Sequence, residues 1–201
     1  MVSPHVKALI VPTALLERCT RVRFSAGETI FRSGTATHSV YYVESGGVRL
    51  VRYGRAGEEV LLHDARAGEF FAEASLDSPR YHCDAVASES SELLQCPSTA
   101  LKQLLDTDRE FARQWMSLLA RQLRTVRTRV ERLSLKSASE RVRHLLVSEG
   151  RGPRFEVKVQ STLKDLARIL GLSHEALYRT LATLEREGAI EREGMVLRLV
   201  P

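Results

Sequence analysis

TLKDLARILGLSHEALYRTLATLEREG, residues 162–188, is the stretch on which the reading of this 201-residue chain turns. Leu166, Ala167 and Leu170 fall on one helical face, and Leu177, Leu181 and Leu184 on another, with Gly171-Leu172 between them. Two apolar stripes of helical period separated by a glycine describe two short helices meeting at a tight turn. Thr162 followed by Asp165 has the spacing of a reciprocal cap, in which each side chain satisfies the other's free backbone N–H. Gly171 permits the positive φ that ends the first helix, Ala167 is small enough for the second helix to cross closely, and Ser173 can cap that second helix. The spacing therefore predicts a helix-turn-helix. The same periodicity turns His174, Glu175, Tyr178, Arg179 and Ala182 away from the core. An exposed row near a helix N-terminus suits a DNA major groove, where Arg bonds guanine O6 and N7 together and Glu accepts from cytosine N4. An i,i+4 surface ion pair between Glu175 and Arg179 is the plainer alternative.

Downstream, 189–199 reads as two β-type runs about a Glu-Gly turn, a hairpin wing. Arg192 and Arg198 on it could meet phosphates, and solvated wing charges serve equally well. Upstream, 138–148 reads as a helix stopped by Gly150-Arg151-Gly152-Pro153, and 155–159 as an extended run. Residues 106–133 contain neither Gly nor Pro, and Ala112, Met116, Leu119, Leu123, Val126, Val130 and Leu133 step alternately by four and three. So regular a heptad seam calls for a partner helix, most simply that of a second copy; an amphipathic helix packed within its own chain is the alternative. Beside the seam, Phe111, Trp115 and Leu118 form a stripe expected to pack on the chain's own N-terminal domain. Over 20–96 the pattern changes to short runs (22–24, 29–31, 40–43, 48–51, 60–62 and 93–94) bounded by Gly27, Gly34, Gly46-Gly47, Gly57 and Gly68. Strands at that spacing predict an antiparallel sandwich or barrel with room for a ligand cavity. The expected architecture is α+β: a β-roll at 1–105, a dimerisation helix at 106–134 and a winged helix-turn-helix at 135–201.

Charge supports that division. The net +5 is unevenly spread: residues 1–105 carry eleven Lys and Arg against twelve Asp and Glu, 106–133 seven against four, and 134–201 twelve against nine. The positive excess lies wholly in the second half, where it suits phosphate neutralisation and serves equally well as the solvated faces of Arg-rich helices. At 43% hydrophobic and 27% charged the composition is that of a folded protein, which excludes disordered and fibrous classes. The apolar stretch 8–16 is interrupted by Pro12 and is about half of the roughly 20 residues a membrane span needs. Cys19, Cys83 and Cys96 are an odd number at wide spacing, from which no disulfide framework and no zinc or iron-sulfur site is expected; a reducing cytoplasm fits. Motifs of an enzyme are missing: no GxSxG, no GxxxxGK[ST] and no HxH followed by Glu as in metal-dependent cupins. A cupin-like enzyme and a regulatory module acting on proteins alone remain the competing classes.

The order of barrel, long helix and winged helix-turn-helix resembles the Crp/Fnr family of bacterial transcription regulators over essentially the whole chain. The resemblance is carried by Gly27-Glu28-Thr29-Ile30-Phe31, Gly34, Tyr42-Val43, Gly46-Gly47-Val48-Arg49-Leu50, Gly57-Glu58, Gly68-Glu69-Phe70-Phe71-Ala72-Glu73 and LARILGLSHEALYRTL at 166–181. It implies a cytoplasmic homodimer on a palindromic double-stranded DNA operator, with RNA polymerase as a further partner and no membrane. Ser173, His174, Glu175, Tyr178, Arg179 and Arg192 are then the DNA-binding residues. In the cyclic-AMP sensors of the family an Arg-Ser pair holds the cyclic phosphate, and those positions fall on Tyr81 and His82, with Arg80 one residue out of register. The Thr-Ser pair that touches the base falls on Val126-Arg127. The resemblance thus puts an effector pocket at Glu73, Arg80, Tyr81, His82, Val126 and Arg127, and it argues against control by cyclic AMP, because a phosphate without its guanidinium loses charge-assisted bonds. Phe71-Ala72-Glu73-Ala74 with Leu133-Ser134-Leu135-Lys136 is similar to the Dnr-type branch, which responds to nitrogen oxides through haem. No cofactor is expected, with haem (axial ligand from His5, His38, His63 or His82) or another small-molecule effector as the alternative.

Overall fold

The computed structural model describes residues 10–55, 57–159 and 162–200. They form two compact units, divided between Leu119 and Ala120. The first opens with the short helix α1 (Thr13–Leu16), followed by β1 (Thr20–Phe24), β2 (Thr29–Phe31), β3 (Ser39–Ser45), β4 (Gly47–Tyr53), β5 (Glu59–Arg66), β6 (Phe70–Phe71), a 3-10 turn (Glu73–Ser75), β7 (Asp84–Ala87) and β8 (Ser91–Pro97). These make two antiparallel four-stranded sheets, ordered β1-β8-β3-β6 and β2-β7-β4-β5. The six glycine-bounded runs are β1 to β5 and β8. The other two strands escaped the reading because a two-residue strand shows no alternation, and Asp84–Ala87 is built of small residues.

Alternation within the central strands builds two cores from one sheet. Tyr41 and Val43 of β3, Phe71 of β6 and Leu93 of β8 face the second sheet and pack with Phe31, Val48, Leu50 and Ala65. Their neighbours Val40, Phe70, Leu94 and Cys96 face the opposite way, toward α1 and two following helices, α2 (Ser98–Thr107) and α3 (Arg109–Ser134). Phe111, Trp115 and Leu118 of α3 are buried there, with the Trp115 ring 5.1 Å from that of Phe70, as the second stripe required. The helix expected from residue 106 instead starts at Arg109. Asp108 is extended (φ −109°, ψ 96°), and its carboxylate accepts from the Phe111 N–H at 2.9 Å, so it ends α2 and caps α3.

The cysteine reading is corrected here: Cys19 and Cys96 are joined by a disulfide, with Cα atoms 4.3 Å apart, while Cys83 is free and buried just before β7. Antiparallel pairing of Thr20 with Gln95 places the residue preceding β1 opposite the residue of β8 that follows Gln95. A separation of 77 residues hides that pairing from any spacing rule.

The second unit holds the rest of α3, then α4 (Ala138–Glu149), β9 (Val157–Lys158), α5 (Leu163–Leu170), α6 (His174–Arg186), β10 (Ile190–Glu193) and β11 (Val196–Leu199). Ser137 and Glu140 form a reciprocal cap at the start of α4. The wing is a three-stranded sheet, β10-β11-β9, rather than a bare hairpin, because Val157 and Lys158 pair with Leu197 and Val196. Of the extended run 155–159 only these two residues form a strand, since Phe155 takes a positive φ of 49° in the turn before it. Leucines of α4, α5 and α6 close on Val157, Ile190 and Leu197 as one core. Each fully buried leucine contributes about 1.5–3 kcal/mol. Among the described residues no helix is long and apolar enough to cross a membrane.

Candidate nucleic-acid interface

The helix-turn-helix is assembled by local bonds that the sequence spells out. Thr162 Oγ1 donates to Asp165 Oδ2 at 2.7 Å, and the Asp165 N–H donates back to Thr162 Oγ1 at 3.2 Å. Gly171 ends α5 at φ 63°, and the Leu172 N–H returns to the Ala167 carbonyl at 2.9 Å. Ser173 Oγ then accepts from the Ala176 N–H at 3.1 Å, starting α6. Leu177, Leu181 and Leu184 are buried, which leaves His174, Glu175, Tyr178, Arg179 and Ala182 exposed on the opposite face. The His174 and Tyr178 rings meet edge to face at 4.7 Å, fixing both on the first turns. Hydrogen bonds from its own backbone N–H and from Ser173 hold the Glu175 carboxyl below the usual carboxylate range, and Arg179 adds to this through charge rather than a hydrogen bond. The surface ion pair is thus not what organises these two side chains. On the wing, Arg192 lies 3.3 Å from Glu185 of α6, while Arg198 is bridged between Glu156 (2.7 Å) and Glu193 (3.0 Å).

The heptad seam is open. Met116, Leu119, Leu123, Val126, Val130 and Leu133 are each between 38% and 60% exposed, while Ala112 is half-buried. Apolar residues in that number along one helix face are unusual for a lone chain.

Inside the β-roll the expected effector residues take separate roles. Glu73 begins the 3-10 turn, preceded by Ala72 in the left-handed region at φ 67°. Arg80 donates to the Gly34 carbonyl at 2.6 Å. Tyr81 is buried, its ring stacked on Phe31 at 3.8 Å and its hydroxyl donating to the Ser39 carbonyl at 2.8 Å. His82 is exposed, with Nδ1 2.8 Å from the hydroxyl of buried Ser75, and partial desolvation of its ring together with the nearby Arg52 charge pulls its pKa down. His82 therefore meets Ser75 of the turn that Glu73 begins, whereas Tyr81 joins Phe31, Tyr41 and Phe71 in an aromatic stack. Val126 and Arg127 are exposed on α3 in the other unit. Of the histidines considered for haem, His38 is exposed, His63 is half-buried on β5, and His5 lies outside the described residues. Among the described residues no three His, Cys, Asp or Glu side chains gather as a metal site.

Two family models match the chain in the order these units occur: a cyclic nucleotide-binding domain over residues 21–108 and a Crp-like helix-turn-helix domain over residues 140–200. The cyclic AMP receptor protein of Thermus thermophilus is 33% identical over 171 residues, covering 83% of this chain and 77% of that protein. The chain belongs to the Crp/Fnr family of transcription regulators. Transcriptional activator protein FnrA of Stutzerimonas stutzeri is 27% identical over 180 residues, 87% of this chain and 74% of that one. The solved structure of FixK2 from Bradyrhizobium japonicum shares the fold with a TM-score of 0.71 at 22% identity, covering 91% of this chain and 93% of that chain.

As a Crp/Fnr protein, the chain is a DNA-binding regulator of transcription. In this Crp/Fnr regulator the N-terminal match falls on a β-roll in which Tyr81 is turned into the core. Sequence reasoning found the exposed face of α6 through its period, and the cap residues through their spacing. It missed Arg141, whose guanidinium reaches Leu135, Leu170 and Gly171. No local pattern signals that residue, because its partners are backbone carbonyls, two of them distant in sequence.

Proposed function

We propose that this Crp/Fnr regulator acts as a homodimer that reads a palindromic operator, and that it does so without cyclic AMP. The observation that carries the reading is the face of α6: His174, Glu175, Tyr178 and Arg179 stand exposed on a helix whose other face is buried in leucine. Arg179 is assigned to guanine O6 and N7, Glu175 to cytosine N4, and His174 and Tyr178 to neighbouring contacts, while Ser173 and Arg192 face the backbone phosphates. Two copies joined along the seam present two such helices to successive major grooves about 34 Å apart. The Thermus thermophilus relative is named for cyclic AMP. Here the residue in register with the phosphate-holding arginine is Tyr81, whose hydroxyl is committed to Ser39 inside an aromatic stack. Arg80, the nearest guanidinium in sequence, is tied to Gly34. A β-roll domain up to 108, a dimerisation helix over Arg109–Ser134 and a DNA-binding domain over 135–201 follow the same division of labour, with RNA polymerase the partner and the cytoplasm the place of action. We assign it no catalytic role.

The test is a fluorescence titration of the full chain with a palindromic duplex selected by the protein from a random pool, repeated across a salt series. Specific binding whose logarithm falls steeply with log salt, by about 0.9 per phosphate contact, is expected. The same affinity with and without saturating cyclic AMP is expected as well. A protein that forms no specific duplex complex, or that requires the nucleotide, overturns the corresponding part.

A further inference from the structure

Arg141, on the first turns of α4, joins two segments that are far apart in the chain. Its Nε donates to the carbonyl of Leu135, just past the end of α3, at 3.0 Å. From the same guanidinium, Nη1 donates to the carbonyls of Leu170 and Gly171, where α5 ends, at 3.2 and 3.1 Å. These last carbonyls of α5 lack intrahelical partners and carry the negative end of the helix dipole, so a cation is favoured there. Gly171 fits closely into the same joint: a Cβ on it would come within 2.7 Å of Leu133 and 3.2 Å of the Arg141 guanidinium. Leu133 belongs to the seam of α3, and Ser173, two residues past Gly171, caps the recognition helix.

We propose that Arg141 is a positioning residue for operator reading: by tying the exit of α3 to the turn before α6, it fixes the angle of the recognition helix to the dimer helix, and so sets which half-site spacing the protein accepts. This rests on the dimeric reading above. The chemistry demands an arginine, because only a rigid fork of donors reaches carbonyls from two directions; a lysine ammonium on a flexible stem supplies charge without that geometry. The Arg141 guanidinium is committed to these carbonyls and is not among the side chains assigned to DNA above, so the effect expected is on geometry and not on base contacts.

The experiment uses the full chain and the selected palindromic duplex, remade with one base pair added or removed between half-sites. Each such change swings the second half-site by about 35° around the duplex, given 10–10.5 base pairs per turn. Wild type is expected to lose about tenfold or more in affinity on either altered spacing, the size of one lost charge-assisted bond. Arg141→Met and Arg141→Lys are expected to reduce that discrimination to within about threefold, with both proteins still dimeric in sedimentation. If Arg141→Met does not fold, as judged by circular dichroism, Arg141→Lys, which keeps stem and charge, decides alone. Undiminished discrimination in a folded variant overturns the proposal. So does an equal loss on all spacings, which is what a merely stabilising residue would show, or a dimeric wild type indifferent to spacing. A wild type that binds only as a monomer instead overturns the dimeric reading.

Discussion

Arg179 is where a single side chain carries the most information. It is exposed, and its influence on Glu175 is one of charge rather than a hydrogen bond, so its guanidinium is available to a base edge. Arg179→Ala is expected to cost about 1–3 kcal/mol and to relax preference at one base pair of each half-site, measured by binding to a panel of singly substituted operators. A uniform loss across the panel would make Arg179 a phosphate contact. His82 supplies a test in the other unit. Desolvation and Arg52 lower its folded pKa, so below its ordinary value of about 6.5 the unfolded chain takes a proton that the folded chain refuses. Its contribution is therefore complete above that range and declines as pH falls through it. His82→Asn should flatten part of the fall in urea midpoint between about pH 7 and pH 5; an unchanged pH profile would show that His82 titrates alike in both states. Residue-scale features such as the Ser173 cap and the Gly171 turn were legible beforehand because the partners lie within five residues. The burial of Tyr81 was not: its hydroxyl partner is 42 residues away.

At the scale of elements, the apolar period located α3, α4, α5 and α6 to within a few residues, and glycine spacing located most strands. Boundaries failed where a polar residue acts through the backbone, as Asp108 does between α2 and α3. β9 was overextended and the wing undercounted, because joining β11 depends on a strand that has meaning only once the hairpin has formed. The link between β1 and β8 is the strongest case. The disulfide closes a loop of 77 residues, and removing such a restraint from the unfolded chain costs about 2–4 kcal/mol. Cys19→Ser is expected to lower the guanidinium midpoint accordingly. Equal midpoints for that variant and wild type, both under non-reducing conditions, would show that the bond contributes nothing.

For the whole molecule the decisive question is assembly. A face bearing Met116, Leu119, Leu123, Val126, Val130 and Leu133 in heptad register is exposed in one chain, and in the homodimer proposed above a second copy buries it. Leu123→Glu places like charges on facing helices and should yield monomers by sedimentation, with operator affinity lost in step. An unchanged dimer would place the interface elsewhere. The family was met in the sequence as a resemblance of motifs, while the helix-turn-helix, the exposed face of α6 and the strict seam could be derived from the sequence alone, because each depends on spacings of a few residues that backbone geometry converts directly into faces. Only the tertiary structure decided that Cys19 meets Cys96, that Tyr81 fills the β-roll interior and that Arg141 ties α3 to the turn before α6. In each of these a partner is far along the chain and is brought near by packing, so no local period or motif records it.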